Sequence, residues 1–389
     1  TPKPVSAATS ATQAAPNAFT AEDALDIVTY SVQDFSSDGH WLAATSQTRR
    51  DAFGIDYRRD GDPTYVRSPS QRVWVIDTQR GDQQAIFPDK RNVRAMRWSP
   101  DGSRLAMLLF DPKSQSYEPV IWERTGGRLT TIKVPAGKYV AENSDLRWTI
   151  DGSKLAFALH TLAWRKTVQD SFEVMTKGPV FVQTSKDSFL TWEALRRTAN
   201  VRSIAAYDLK SRQTSELLPE TMVSSWDLTE DGALITYSED ITKKTDYDVI
   251  FGSESKLMAR QLVDGKTRTV LPTLKGLSLV WSEDGSRYAY GKEGRVYVAT
   301  LNDTAAKQVA GAPPEAKRDT PPHTSKAARG RRDRERFSPV RYSPTNDALL
   351  VSNREGIWLL DVASGSKDLV VATSDSDLAL PRVTTAAWT

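Results

Sequence analysis

A phrase of the form aromatic-Ser-x-Asp-Gly, followed by an apolar run, returns six times along the chain. It reads DFSSDGHWLAAT at 34–45, RWSPDGSRLAML at 97–108, RWTIDGSKLAFA at 147–158, DLTEDGALITYS at 227–238 and VWSEDGSRYAYG at 280–291. A worn copy, RYSPTNDALLVS, stands at 341–352. Self-similarity of this kind means one supersecondary unit repeated, each copy burying its apolar face only against its neighbours. Asp-Gly marks a hairpin, because the turn needs a positive φ that glycine adopts without a Cβ clash. Phe35, Trp98, Trp148, Leu228, Trp281 and Tyr342 precede the turns. Leu42, Leu105, Leu155, Ile235, Tyr288 and Leu349 follow them, so each hairpin carries two apolar anchors.

A second phrase follows each hairpin at variable distance: RVWVIDTQRG (72–81), PVIWERTGG (119–127), SIAAYDLKS (203–211), KLMARQLVDG (256–265), RVYVATLND (295–303) and GIWLLDVASG (356–365). Each is a strand of about five residues, then a polar turn, then another short strand. The two phrases together give four strands per copy, which is the blade of a β-propeller. A β-sandwich also uses short strands but would not repeat one aromatic-Asp-Gly phrase six times. The expected fold class is therefore all-β, a β-propeller of four-stranded blades with six recognisable units plus the start of a seventh. That start is RVTTAAWT (382–389), which puts Trp388 where the next aromatic belongs and predicts a longer parent protein.

The 389 residues, 39% of them hydrophobic and including 11 tryptophans, supply ample core for a closed β architecture of this length. A net charge of +3 favours neither a nucleic-acid surface nor an acidic ligand. The absence of cysteine excludes disulfides and thiolate metal sites. No run of 18 apolar residues predicts a membrane span. Residues 1–19, rich in Thr, Ser, Ala and Pro, read as a disordered leader, of the sort left when a secretory signal is removed. The propeller then covers 20–389, entered by a short helical turn with Thr20 as N-cap and Glu22 and Asp23 in its first turn.

Two segments break the rhythm. Residues 160–200 form an insertion whose later part reads as a short helix. Residues 310–336 are Pro-rich and basic without apolar periodicity, which predicts a solvated loop. Asp319, Asp333 and Glu335 dilute that loop's charge and it has no aromatic residue for stacking, so no nucleic-acid partner is expected.

The search for chemistry returns little. No Gly-x-Ser-x-Gly elbow occurs. His40, His160 and His323 are scattered, and surface or turn positions are expected for all three. The Asp-rich stretch 51–63 lacks EF-hand spacing and reads as a long turn. Asp38, Asp101, Asp151, Asp231 and Asp284 are explained by their turns, where the side chain accepts from amides two residues on. No catalytic residue, cofactor or metal is therefore assigned.

The aromatic-Ser-Pro-Asp-Gly-Ser-x-Leu-Ala units are similar to the propeller repeats of the prolyl oligopeptidase family, which includes dipeptidyl and acylaminoacyl peptidases, and to TolB-like periplasmic propellers. The entry FTAEDALDIVTYSVQDFSSDGHWLAAT (19–45), the uneven copies and the 160–200 insertion resemble the peptidase group more closely. The resemblance spans about residues 19–389. It implies a substrate-gating propeller of a secreted or periplasmic serine peptidase, partnered by a C-terminal α/β-hydrolase domain of the same chain and admitting short peptides. A TolB-like protein-binding scaffold is the alternative it leaves. The family's catalytic residues do not fall in this segment. The adjacent Glu-Glu pair by which the dipeptidyl branch holds a substrate amine is missing as well. On the analogy of rim insertions, Arg165, Trp192, Arg196 and Arg197 are the candidates for lining the substrate cavity.

Overall fold

The computed structural model describes residues 19–52, 70–176, 178, 197–229, 231–242, 254–303, 305–312 and 335–372. The chain divides into two compact units, Thr1–Ile132 and Lys133–Thr389. It is an all-β fold of several antiparallel sheets, with two α-helices among the described residues.

The N-terminal unit opens with α1 (Ala21–Asp26), whose cap is a reciprocal box: Thr20 accepts from the Asp23 amide and Asp23 accepts from the Thr20 amide. Its first sheet is β1 (Val28–Phe35), β2 (Trp41–Thr48), β3 (Arg72–Asp77) and β4 (Gln83–Ala85) in sequence order. The second sheet is β5 (Val93–Trp98), β6 (Arg104–Asp111), β7 (Ser116–Glu123) and β8 (Leu129–Thr131). Ala43, Val73 and Val75 of the first sheet pack on Met96, Trp98, Leu105 and Met107 of the second.

The C-terminal unit holds four more sheets. The third contains β9 (Lys138–Val140), β10 (Leu146–Trp148), β11 (Lys154–Thr161), β12 (Val201–Asp208) and the first part of β13 (Gln213–Leu228). The rest of β13 begins the fourth sheet, with β14 (Leu234–Asp240), β15 (Ser255–Gln261) and β16 (Thr267–Leu271). The fifth is β17 (Ser278–Trp281), β18 (Arg287–Lys292), β19 (Arg295–Thr300) and β20 (Lys307–Ala310). The sixth is β21 (Ser338–Tyr342), β22 (Ala348–Asn353), β23 (Gly356–Asp361) and β24 (Lys367–Ala372).

The repeated phrase makes the same hairpin six times. The two anchors face each other across it in every copy: Phe35 and Leu42, Trp98 and Leu105, Trp148 and Leu155, Leu228 and Ile235, Trp281 and Tyr288, Tyr342 and Leu349. The Ser or Thr supplies the lock. In the second copy Ser99 Oγ donates to Asp101 at 2.5 Å and accepts from the Arg104 amide at 3.0 Å, while Asp101 also accepts from the Ser103 amide at 3.1 Å. Thr149, Thr229 and Ser282 repeat this with Asp151, Asp231 and Asp284. In the worn copy Asn346 takes the glycine's place at φ +62°, and Asp347 takes over as acceptor for Ser343 at 2.8 Å. Asparagine tolerates that conformation better than most residues.

The glycine has a second duty in the fifth sheet. A Cβ on Gly285, at φ +67°, would stand 3.3 Å from the Thr229 Cα of the preceding hairpin, so the bare backbone lets neighbouring hairpins nest. Ser99 is fully buried. Ser99→Ala removes a buried donor-acceptor and leaves the Arg104 amide without it, an expected loss of about 1–3 kcal/mol in urea unfolding. Ser99→Thr, the residue used at 149 and 229, is expected to recover most of that loss.

The anchors are not all buried. Trp98 and Tyr342 are 5% and 3% exposed, but Phe35 is 52% exposed. Val28, Tyr30 and Val32 stand on the same side of β1, across from Thr48, Ser46 and Ala44, and are also exposed.

Candidate functional site

The long insertion of the C-terminal unit leaves β11 and returns at β12, at the end of the sheets opposite the Asp-Gly hairpins. Its described part begins with α2 (Leu162–Thr176), and the later stretch where the sequence suggests a short helix lies mostly outside the described residues. Trp164, Val168, Phe172 and Met175 recur at helical spacing and form one apolar stripe, packed with Tyr139 and Val201. The helix starts where Thr161 Oγ1 accepts from the Trp164 amide at 3.1 Å.

His160 fixes that start. It is 3% exposed, so the expected surface position is not found for this histidine. Its ring lies flat on the Trp164 indole, centroids 3.7 Å apart and planes within 4°. Its Nδ1 is 2.8 Å from the Val201 carbonyl. A carbonyl only accepts, so Nδ1 carries a proton. Burial pushes its pKa down to about 4; the Val201 carbonyl opposes this, and the charges of Arg202 and Arg165 add to it. Trp164 Nε1 in turn donates to Thr198 O at 2.7 Å, tying the far end of the insertion to its beginning.

Arg165 places its guanidinium 3.8 Å from the centre of the Tyr139 ring, a cation-π contact. Arg197 is engaged differently. Its Nε and Nη2 form a fork on Asp240 at 2.7 and 2.5 Å, and Asp240 also accepts from the amide and hydroxyl of Thr242 at 3.0 and 2.7 Å. Burial disfavours the Asp240 carboxylate, but the Arg197 fork and Thr242 outweigh it and hold its pKa below the usual carboxylate range. The third- and fourth-sheet connections are thereby pinned at their bases.

One more arginine completes the frame. Arg202 donates to the carbonyls of Val223 and Ser224 at 2.9 and 3.0 Å and to Asn143 Oδ1 at 3.2 Å, and burial lowers its pKa to about 10. It fastens the corner where β13 passes from the third sheet to the fourth.

Of the four residues singled out by sequence, Arg165 and Arg197 stand in these two contacts, and Trp192 and Arg196 lie outside the described residues. So do His323, most of 51–63, most of 310–336, and 382–389. The sequence reading does not pick out Tyr139 or Asp240, and it places His160 at the surface or in a turn. The available signal was His160 and Trp164 four apart across a strand-helix junction. Chemically the site offers the Arg165 guanidinium over an aromatic wall, while the Arg197 fork is already taken by Asp240. Among the described residues no group of three His, Cys, Asp or Glu side chains is placed to hold a metal ion, and no helix is long and apolar enough to cross a membrane.

No family model and no curated protein sequence matches the chain. Solved structures do match. An oligogalacturonate lyase in complex with manganese superposes with a TM-score of 0.51 at 12% identity, covering 89% of this chain and 78% of the lyase. The β-propeller domain of the Trilobed protease from Pyrococcus furiosus gives 0.48 at 11% identity, covering 89% of this chain and 84% of that domain. Porphyromonas gingivalis dipeptidyl peptidase 4 gives 0.48 at 11% identity, covering 87% of this chain and 45% of the peptidase. At 12% identity the likeness to the lyase is one of fold, an all-β chain of repeated antiparallel sheets.

Proposed function

We propose that this chain is the substrate-gating propeller of a secreted serine peptidase resembling the prolyl oligopeptidase family. The observation that carries the reading is the pairing of a repeated, internally locked hairpin with a helical insertion clamped at one end of the sheets. Rigid sheets carrying a pinned insertion are the arrangement in which a rim sorts what enters. On this reading Arg165, Trp192, Arg196 and Arg197 line or brace the entrance. Arg165, over Tyr139, presents its guanidinium to a peptide carboxylate, while Arg197 acts through Asp240 by fixing the rim. The hydrolase domain belongs to the same protein, and the substrate is a short peptide because folded proteins do not fit a propeller's opening.

The test is fluorophosphonate labelling of the full natural protein, followed by peptide mapping. The expected result is one labelled serine outside residues 1–389, with cleavage of short peptides and none of folded proteins. A natural protein that takes no label and cleaves no peptide overturns the reading.

A further inference from the structure

The opposite end of the C-terminal unit, where the Asp-Gly hairpins lie, carries a groove that the gating role does not use. Two adjoining cavities of about 360 and 410 Å³ run between the hairpins of the third, fourth and fifth sheets. Each is of a size that takes a few side chains of a ligand. They share Ile150 and Asp231 in their walls. The floor of the first is Leu217, Leu228 and Leu262, and that of the second is Leu234 and Leu301.

Two aliphatic side chains stand in solvent beside this floor. Ile150 is 53% exposed and Val263 is 93% exposed. Ile150 occupies the hairpin position held by Ser37, Pro100, Glu230, Glu283 and Pro344 in the other copies, all polar residues or proline. Val263 sits in the β15–β16 turn beside Leu262, whose amide donates to Ala233 O of the fourth hairpin at 2.9 Å. A contiguous apolar surface rimmed by polar residues, as the leucine floor and Ile150 form here, marks an interaction site.

The rim is acidic on balance: Asp151, Asp231 and Asp284 line the cavities against a single cation, Lys154. Hydrogen bonds from Thr149 and Ser153 hold Asp151 at about 2, and those from Thr229 and the Ala233 amide lower Asp231. Burial opposes ionisation of Asp284, but Ser282 and Ser286 outweigh it. All three are charged at neutral pH. Such a rim repels nucleic acid and anionic lipid and attracts cations.

We infer that this groove docks an extended segment of a partner protein in which apolar side chains alternate with lysine or arginine. The apolar side chains enter the two cavities beside Ile150 and Val263, and the cations meet Asp151, Asp231 and Asp284. An extended strand suits the site because alternate side chains point to opposite faces, one set inward to the leucines and the other outward to the rim. The inference is independent of the peptidase reading, since it uses the other end of the sheets.

Fluorescence polarisation tests it with two labelled hexapeptides, one alternating leucine and arginine and one alternating leucine and glutamate. The arginine peptide is expected to saturate at one site, at least tenfold tighter than the glutamate peptide, and to weaken as salt screens the rim. Ile150→Ser and Val263→Ser are each expected to weaken it about fivefold or more with an unchanged urea midpoint, both side chains being exposed. Asp284→Asn is expected to reduce the salt dependence. Equal affinity for the two peptides, or serine variants that bind as tightly as the parent, overturns the proposal. So does concentration-dependent self-association that Ile150→Ser abolishes, which would give the face to a second copy of the chain.

Discussion

Asp240→Ala is expected to cost this protein about 3–5 kcal/mol of stability, the range measured when one partner of a buried ion pair is removed. The Asp240 side chain is 2% exposed and that of Arg197 16%, so the guanidinium left behind has little water to turn to. The change also strips the acceptor from the Thr242 amide and hydroxyl. Arg197→Ala is expected to cost less, because Asp240 keeps Thr242. The double variant should then lose less than the sum of the two, with a coupling of at least ~1.5 kcal/mol measured by urea unfolding in a double-mutant cycle. Additive losses would mean that the two side chains are held apart by water in solution. Arg197 would then return to the set of free rim residues.

Acidification is the second expected result, and it has two windows. The His160 imidazole falls from 6.5 to about 4 on folding, so the unfolded chain binds the extra proton between those values. Stability therefore rises with pH across the window and is lost as pH falls from 6.5 towards 4, by about 3 kcal/mol. His160→Phe keeps a ring on Trp164 and removes the proton site, so it should lose the His160 part of the pH dependence over that range. The His160 resonance of the parent should not titrate above about pH 5. The hairpin carboxylates act lower down. Asp101 and Asp151 are held at about 2, so what they contribute is present above the unfolded value near 3.8 and is lost only as pH drops from 4 to 2. A parent protein as stable at pH 4.5 as at pH 7 would refute the burial of His160.

These two cases mark what a sequence of this kind discloses. The hairpins were legible to the residue, because the Ser, Asp and Gly are bound to one another within six positions and need no distant partner. Even the worn copy obeys: Asn346 and Asp347 rebuild the turn from other residue types. The α1 cap was legible for the same reason. The helix of the insertion was not, because its apolar stripe follows the apolar run of β11 without a break, and only Thr161 marks the change of period. His160 was illegible because a lone histidine carries no sign of what lies over it; its burial is decided by Trp164 and Val201, the latter 41 residues away. Arg197 was noticed for its charge, yet its role depends on Asp240, 43 residues further on. Phe35 is the converse case. The phrase marks it as an anchor like Trp98, and what differs is the cover it receives, which no local pattern encodes.

The shared strand β13 bears on how such a chain can be edited by evolution or in the laboratory. Repeats joined by loops can be duplicated, deleted or permuted as cassettes, since the joint belongs to neither. Here the joint is a strand that pairs with β12 through Met222 and with β14 from Val223 onward, its corner held by Arg202. A splice at that point would fray two sheets together, so the third and fourth repeats are inherited as one module. Recombination breakpoints among variants of this protein should avoid 213–228 and gather in the turns between the other repeats.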